Sequence, residues 1–104
     1  MSTLYASLNQ PMDEAAVRRI YEEFYAQDRF VRIYGSTATV GTAHVRGTNY
    51  NNLVVSVDAR AQRLRVVSYI DNLMKGQAGS ALQNMNVLFG FDESAGLDRP
   101  GFYP

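Results

Sequence analysis

The sequence predicts an α+β domain in which two helices pack against a mainly antiparallel sheet. Three observations carry this. Two β-rich runs at 52–58 and 63–70 are separated by only four residues, which is the pattern of a β-hairpin. An apolar stripe recurs at helical spacing across 13–26. A second helical run opens near Asn72 or Leu73 and ends before Gly90. Strands and helices mixed in this order belong to a layered α+β design. A chain of 104 residues has room for one domain, and a domain of that size buries a modest share of its surface. Support from another domain or a second subunit is therefore expected.

From Ser2 to Leu8 the residues alternate loosely, as in a strand, and the strand starts abruptly, as either a segment cut from a longer chain or an ordinary N-terminal strand would. Asn9-Gln10-Pro11 interrupts the pattern, and Asp13 is a good N-cap for a helix reaching about Ala26. Val17, Ile20, Tyr21, Phe24 and Tyr25 form the apolar stripe of that helix. Glu14, Arg18, Arg19, Glu22 and Glu23 lie opposite, a solvated face with weak pairs four residues apart. Phe30–Tyr34 reads as a short strand closed by Gly35-Ser36, and a polar stretch rich in Thr and Gly follows to Asn52. The loop Ala59-Arg60-Ala61-Gln62 closes the hairpin and brings Asp58 near Arg63. Gly90 suits a left-handed helix terminus, and the tail from Phe91, with Asp92, Gly96, Pro100 and Gly101, reads as irregular.

Composition narrows the function classes. Ten basic and ten acidic residues cancel, so no net field draws the chain to nucleic acid or an anionic membrane. No stretch approaches the roughly 20 apolar residues of a membrane span, and the first residues lack the pattern of a secretory signal. A cytoplasmic location is expected. The chain has no Cys, hence no disulfide and no thiolate nucleophile, and its one histidine, His44, cannot form a metal cluster unaided. We read His44 as a loop residue.

Most of the chemical signal lies between Ser68 and Gly90. Gly76 and Gly79 in the first turns of a helix each sacrifice roughly 1 kcal/mol of helix propensity. They fall with Ser80 and Gln83 on one face, while Ala78, Leu82, Met85 and Phe89 form an apolar face suited to the sheet. A face stripped of side chains admits close approach to the backbone. A helix start preceded by Asp71-Asn72 offers N–H groups and a carboxamide to a polar ligand. The residues alone leave two readings open, a ligand at that face or close packing against another helix.

The run Ile70-Asp71-Asn72-Leu73-Met74-Lys75-Gly76-Gln77-Ala78-Gly79, continued by Gln83-Asn84-Met85-Asn86, resembles the C-terminal signature of N-acetyl-γ-glutamyl-phosphate reductases. Val45-Arg46-Gly47-Thr48-Asn49-Tyr50 upstream is similar to that family too. So are the opening Ser2-Thr3-Leu4-Tyr5, the helix around Tyr21-Glu22-Glu23-Phe24-Tyr25, and Phe30-Val31-Arg32. Val57-Asp58, Val66-Val67-Ser68, the ending Phe89-Gly90-Phe91-Asp92-Glu93 with Gly96-Leu97, and the closing Tyr103-Pro104 also fit. The resemblance runs in order through essentially the whole chain. Departures fall at Tyr69, where the family commonly has a small residue, and at Ser80, where it often has Gln. At Asn51 and Asn52 the family more often shows Cys and Asp.

The resemblance implies a fragment, 1–104, of the C-terminal catalytic and dimerisation domain of an enzyme built like the semialdehyde dehydrogenases. The Rossmann domain that holds NADP is absent from it. It further implies NADPH-dependent reduction of an acyl phosphate to a semialdehyde in arginine biosynthesis, within a homo-oligomer. In the family a cysteine thiolate forms a thioester with the acyl group, and a histidine preceding the Ser2-Thr3-Leu4-Tyr5 segment handles protons. His44 does not match that histidine, and a chain without Cys cannot perform the thioester step, so this chain alone is expected to be inactive, with no catalytic residue of its own. By the same resemblance Asn72, Lys75 and Gly76 are candidates for the cofactor side. Arg46 is the candidate contact for a substrate anion, since a guanidinium grips carboxylate or phosphate with two parallel bonds. Asn49 would fix the loop carrying Arg46. An ordinary ion pair is the plainer reading of Arg46. Two further readings fit the same residues: the sister enzyme acting on the one-carbon-longer aminoadipyl substrate of lysine biosynthesis, and a stand-alone oligomerisation module without catalysis.

Overall fold

The computed structural model describes residues 1–102. The closing Tyr103-Pro104 of the family resemblance lies outside the described residues. Four strands form one sheet: β1 (Ser2–Ser7), β2 (Val31–Gly35), β3 (Asn51–Asp58) and β4 (Arg63–Tyr69), in the order β1-β4-β3-β2. The two pairings of β4, to β1 and to β3, are antiparallel, and β2 runs parallel to β3. The expected α+β class with a mainly antiparallel sheet is what the chain adopts. Its one parallel pair arises because the connection from β2 to β3 is a crossover, 36–50, carrying a short 3₁₀ turn at Thr42–Val45.

The hairpin forms as its alternation required, with Val55 opposite Val66 and Val57 opposite Leu64. Its four-residue loop is closed by Asp58, whose Oδ1 accepts the N–H groups of Arg60 and Ala61 at 3.0 and 3.1 Å. Gln62 takes the left-handed conformation there, with φ 48°.

Helix α1 (Glu14–Phe24) starts where predicted, Asp13 Oδ1 accepting the Ala16 N–H at 2.7 Å. It covers one face of the sheet and buries Val17 against Leu53, Val55, Leu64 and Val66, with Tyr21 and Tyr25 packed alongside. The apolar stripe expected for this helix divides. Val17, Tyr21 and Tyr25 follow one i,i+4 row into the core, whereas Ile20 and Phe24 on the neighbouring row stay exposed.

The second helical segment departs most from expectation. Residues Met74–Ala78 wind as a π-helix before α2 (Gly79–Leu88) begins. The amides of Gly76, Ala78 and Gly79 donate to the carbonyls five residues back, Asp71, Leu73 and Met74. The apolar face expected to lie on the sheet does not: Ala78, Met85 and Phe89 are exposed and Leu82 only half-buried, while α2 buries Gly79 and Asn86. α2 packs instead beside the 46–50 loop and the tail. Asn86 Nδ2 holds the tail by donating to the carbonyls of Glu93 and Ala95 at 3.2 and 3.0 Å. No helix among the described residues is long and apolar enough to cross a membrane.

Candidate functional site

The site grows from the junction of three segments: the loop after the 3₁₀ turn, the end of β4, and the π-helical turn. In the loop, Thr48 bonds the Val45 carbonyl through both its amide, at 3.0 Å, and its hydroxyl, at 2.8 Å. Gly47 takes a left-handed conformation, φ 74°, which a side chain would strain. This tight turn sends Arg46 outward and Asn49 inward. Arg46 is exposed; Asn49 is fully buried.

Asn49 Nδ2 donates to Gln83 Oε1 at 2.9 Å, across 34 residues of chain. Its carboxamide oxygen finds no donor among the described residues and lies against the backbone of Gly79. The close approach that the small-residue face suggested is therefore made by this chain's own loop, at Gly79. Gly76, one turn earlier, is exposed.

Gln83 is the centre of a polar cluster that the sequence reading did not assign. Besides Asn49, its Oε1 accepts Lys75 Nζ at 2.7 Å, and its Nε2 donates to Glu93 Oε1 at 2.6 Å. Lys75 sits 5.8 Å from the Phe30 ring centroid. Burial pushes the Lys75 ammonium below its ordinary pKa, with the charges of Glu93 and Asp28 opposing. Gln83 thus holds the half-buried Lys75 side chain. A sequence clue existed in Gln83 itself, a long polar side chain on the glycine-bearing face.

At the helix start the capping group is Asp71. Asp71 Oδ1 accepts the amides of Leu73 and Met74, both at 2.8 Å, so the carboxylate caps the turn and the exposed Asn72 carboxamide does not. Asp71 Oδ2 accepts the Gly47 amide, also at 2.8 Å. These bonds, Gly47 foremost, hold the Asp71 carboxyl below the usual range against the opposing effect of burial; the nearby charge of Arg46 adds to them.

Arg46 and Asp71 form the common wall of two hollows. The larger, about 790 Å³, is mostly apolar, with Leu73, Met74, Leu97 and Phe102 in its wall and Arg99 as a second cation. The smaller, about 340 Å³, brings Arg46 together with Asn72. Of the five sequence-predicted residues, Arg46 and Asn72 therefore meet in one hollow. Asn49 and Lys75 meet instead at Gln83, and Gly76 lines neither hollow. His44 is exposed in the 3₁₀ turn, its Nδ1 accepting the Gly41 amide at 3.1 Å.

Residues 1–72 match the family model described as the dimerisation domain of semialdehyde dehydrogenase. The chain belongs to the semialdehyde dehydrogenase dimerisation-domain family. The match takes in all four strands and α1 and stops at the turn capped by Asp71. Among curated relatives, the N-acetyl-γ-glutamyl-phosphate reductase of Geobacter metallireducens is 44% identical over all 104 residues. That of Bacillus cereus is 42% identical over 99% of the chain, and that of Desulforamulus reducens 43% identical over the whole chain. In each case the chain spans 30% of the relative's length, corresponding to its C-terminal part.

Proposed function

We infer that this chain is the C-terminal part of an NADPH-dependent N-acetyl-γ-glutamyl-phosphate reductase, which converts an acyl phosphate to a semialdehyde in cytoplasmic arginine biosynthesis. The observation that carries the reading is the similarity to reductases of that name along the entire chain, α2 and tail included. The chain's part is to frame the site. Arg46, exposed beside a hollow, reaches for a substrate anion, and Asn49 anchors its loop from within. Asn72 and Gly76, both exposed at the π-helical turn, fit one edge of a dinucleotide. Lys75 is engaged with Gln83 and supports that edge from behind. NADPH, when bound, supplies hydride, and its main grip lies in a domain this chain does not contain. The nucleophile likewise comes from elsewhere, because the sequence has no Cys. The family description as a dimerisation domain supports a homo-oligomeric enzyme.

The test is a chimera in which this chain replaces the C-terminal 30% of the Geobacter metallireducens reductase. Assayed with NADPH and N-acetyl-γ-glutamyl phosphate, the chimera turns over and the 104-residue chain alone does not. A folded chimera without turnover, or turnover by the chain alone above a heat-denatured control, overturns the reading.

A further inference from the structure

Asp71 stands between the two segments that the proposed function gives to substrate and cofactor. Its Oδ1 is fully used by the Leu73 and Met74 amides, and a helix cap needs nothing more. Its Oδ2 nevertheless takes the Gly47 amide, 24 residues away in sequence. Gly47 directly follows Arg46 and turns sharply, so the tie on its amide helps set where the Arg46 backbone lies, together with the Phe102 amide that the Arg46 carbonyl accepts at 2.9 Å. Asn72 sits in the turn tied by the other oxygen. A carboxylate has acceptors on both sides, whereas a carboxamide in its place would present an NH2 donor either to the Gly47 amide or to the two capping amides. The Asn49–Gln83 bond ties the same loop to α2, which follows that turn.

We propose that Asp71 is a positioning residue that locks the Arg46 loop to the Asn72–Gly76 turn and so sets the spacing between the substrate-anion end and the cofactor end of the site. This assignment of the two ends rests on the function proposed above; the clamp itself rests on the three bonds to Asp71.

Amide hydrogen exchange by NMR on the 104-residue chain reads the clamp without reference to activity. In Asp71→Asn the carboxamide oxygen stays with its two capping amides and the NH2 group faces Gly47. The Gly47 amide then exchanges at least about tenfold faster, in line with the loss of a charge-assisted bond. Leu73 and Met74 stay within about twofold. In Asp71→Ala all three accelerate, and the sheet amides of Val54 and Val66 hold steady in both variants. Unchanged Gly47 exchange overturns the clamp, as does uniform acceleration that includes the sheet.

The functional arm uses the chimera. Asp71→Asn raises KM for the acyl phosphate about tenfold while kcat and the KM for NADPH stay within about twofold; Asp71→Ala raises both KM values. Loss of melting temperature with both KM values unchanged removes the positioning role. An unsubstituted chimera without turnover counts against the proposed function alone, because the exchange arm still decides the clamp.

Discussion

The carboxamide of Asn49 lies so close to Gly79 that a β-carbon on that glycine would overlap its oxygen. The same β-carbon would stand 2.8 Å from the Met74 carbonyl oxygen, so neither a rotamer change nor a small shift of one group relieves the contact. Loop and helix are in contact here through a missing side chain.

Gly79→Ala is accordingly expected to destabilise the chain by about 2 kcal/mol, in the range of overpacked cores. Gly76→Ala serves as the comparison, since its β-carbon would meet Asp71 O at 3.3 Å and Asn72 Oδ1 at 3.4 Å. That substitution should cost little, helped by the better helix propensity of Ala. Urea unfolding of the two variants measures the difference, and equal losses would discount the Asn49 contact.

Replacing Gln83 by Leu keeps bulk but removes the acceptor shared by Lys75 and Asn49. It strands the buried Asn49 amide, whose oxygen already has no donor among the described residues. A cost of about 2–3 kcal/mol is expected from the unsatisfied groups. Glu22→Ala, which breaks an exposed pair with Arg18, should change stability by less than about 0.5 kcal/mol. Thermal unfolding at matched pH distinguishes the two.

Acid should act through Asp71 and Glu14. Hydrogen bonds from Gly47 and Met74 lower the first carboxyl, and the Ser36 amide lowers the second, so both prefer the ionised form in the folded state. A depressed folded pKa contributes stability that is present above the unfolded value and lost as pH falls through the folded one. Stability should therefore decline from about pH 4 downward. In Asp71→Asn that decline becomes shallower, while stability near neutrality is lower. A parallel acid profile in the variant would show that Asp71 is not coupled to folding.

In the chimera, Asn72→Ala is predicted to weaken NADPH binding about fivefold, the size of one lost ligand hydrogen bond. Gly76→Val should do so more strongly by placing a branched side chain on the exposed edge. Fluorescence titration with NADPH measures both, and unchanged affinities would reduce the turn to scaffold.

The chain on its own is expected to self-associate. Leu88 is 79% exposed and Phe89 66%, with Val87 and Phe91 beside them, an apolar cluster at the end of α2. Light scattering at high concentration should report a dimer or larger species, and Leu88→Lys should reduce it. A monodisperse parent chain would argue against this surface.

What was legible in the sequence was local. Alternation in 52–58 and 63–70 set the hairpin, Asp13 marked the start of α1, and the order of motifs placed the chain in its family. The parallel pairing of β2 with β3 was not legible, because it depends on how the 36–50 crossover folds back and leaves no periodic trace. Nor was the fate of α2: an apolar face predicts burial but not against what, and Met85 and Phe89 remain exposed. Asp71 and Asn72 are equally good capping residues by type, and no local pattern shows that Asp71 also takes the Gly47 amide, 24 residues away. The Asn49–Gln83 contact joins residues 34 apart, beyond any local pattern.

The π-helical turn at Met74–Ala78 has a consequence for how this segment tolerates changes of length. A wide turn holds one residue more than regular winding needs. Deleting any one residue within it would let the helix close into ordinary α geometry with its backbone bonds intact. Because a wide turn takes up its additional residue within one revolution, the deletion would leave the segments on either side close to their present angular relation about the helix axis. The extra residue is therefore one the helix can lose while Asp71 and Gln83, farther along the same helix, both keep facing the loop.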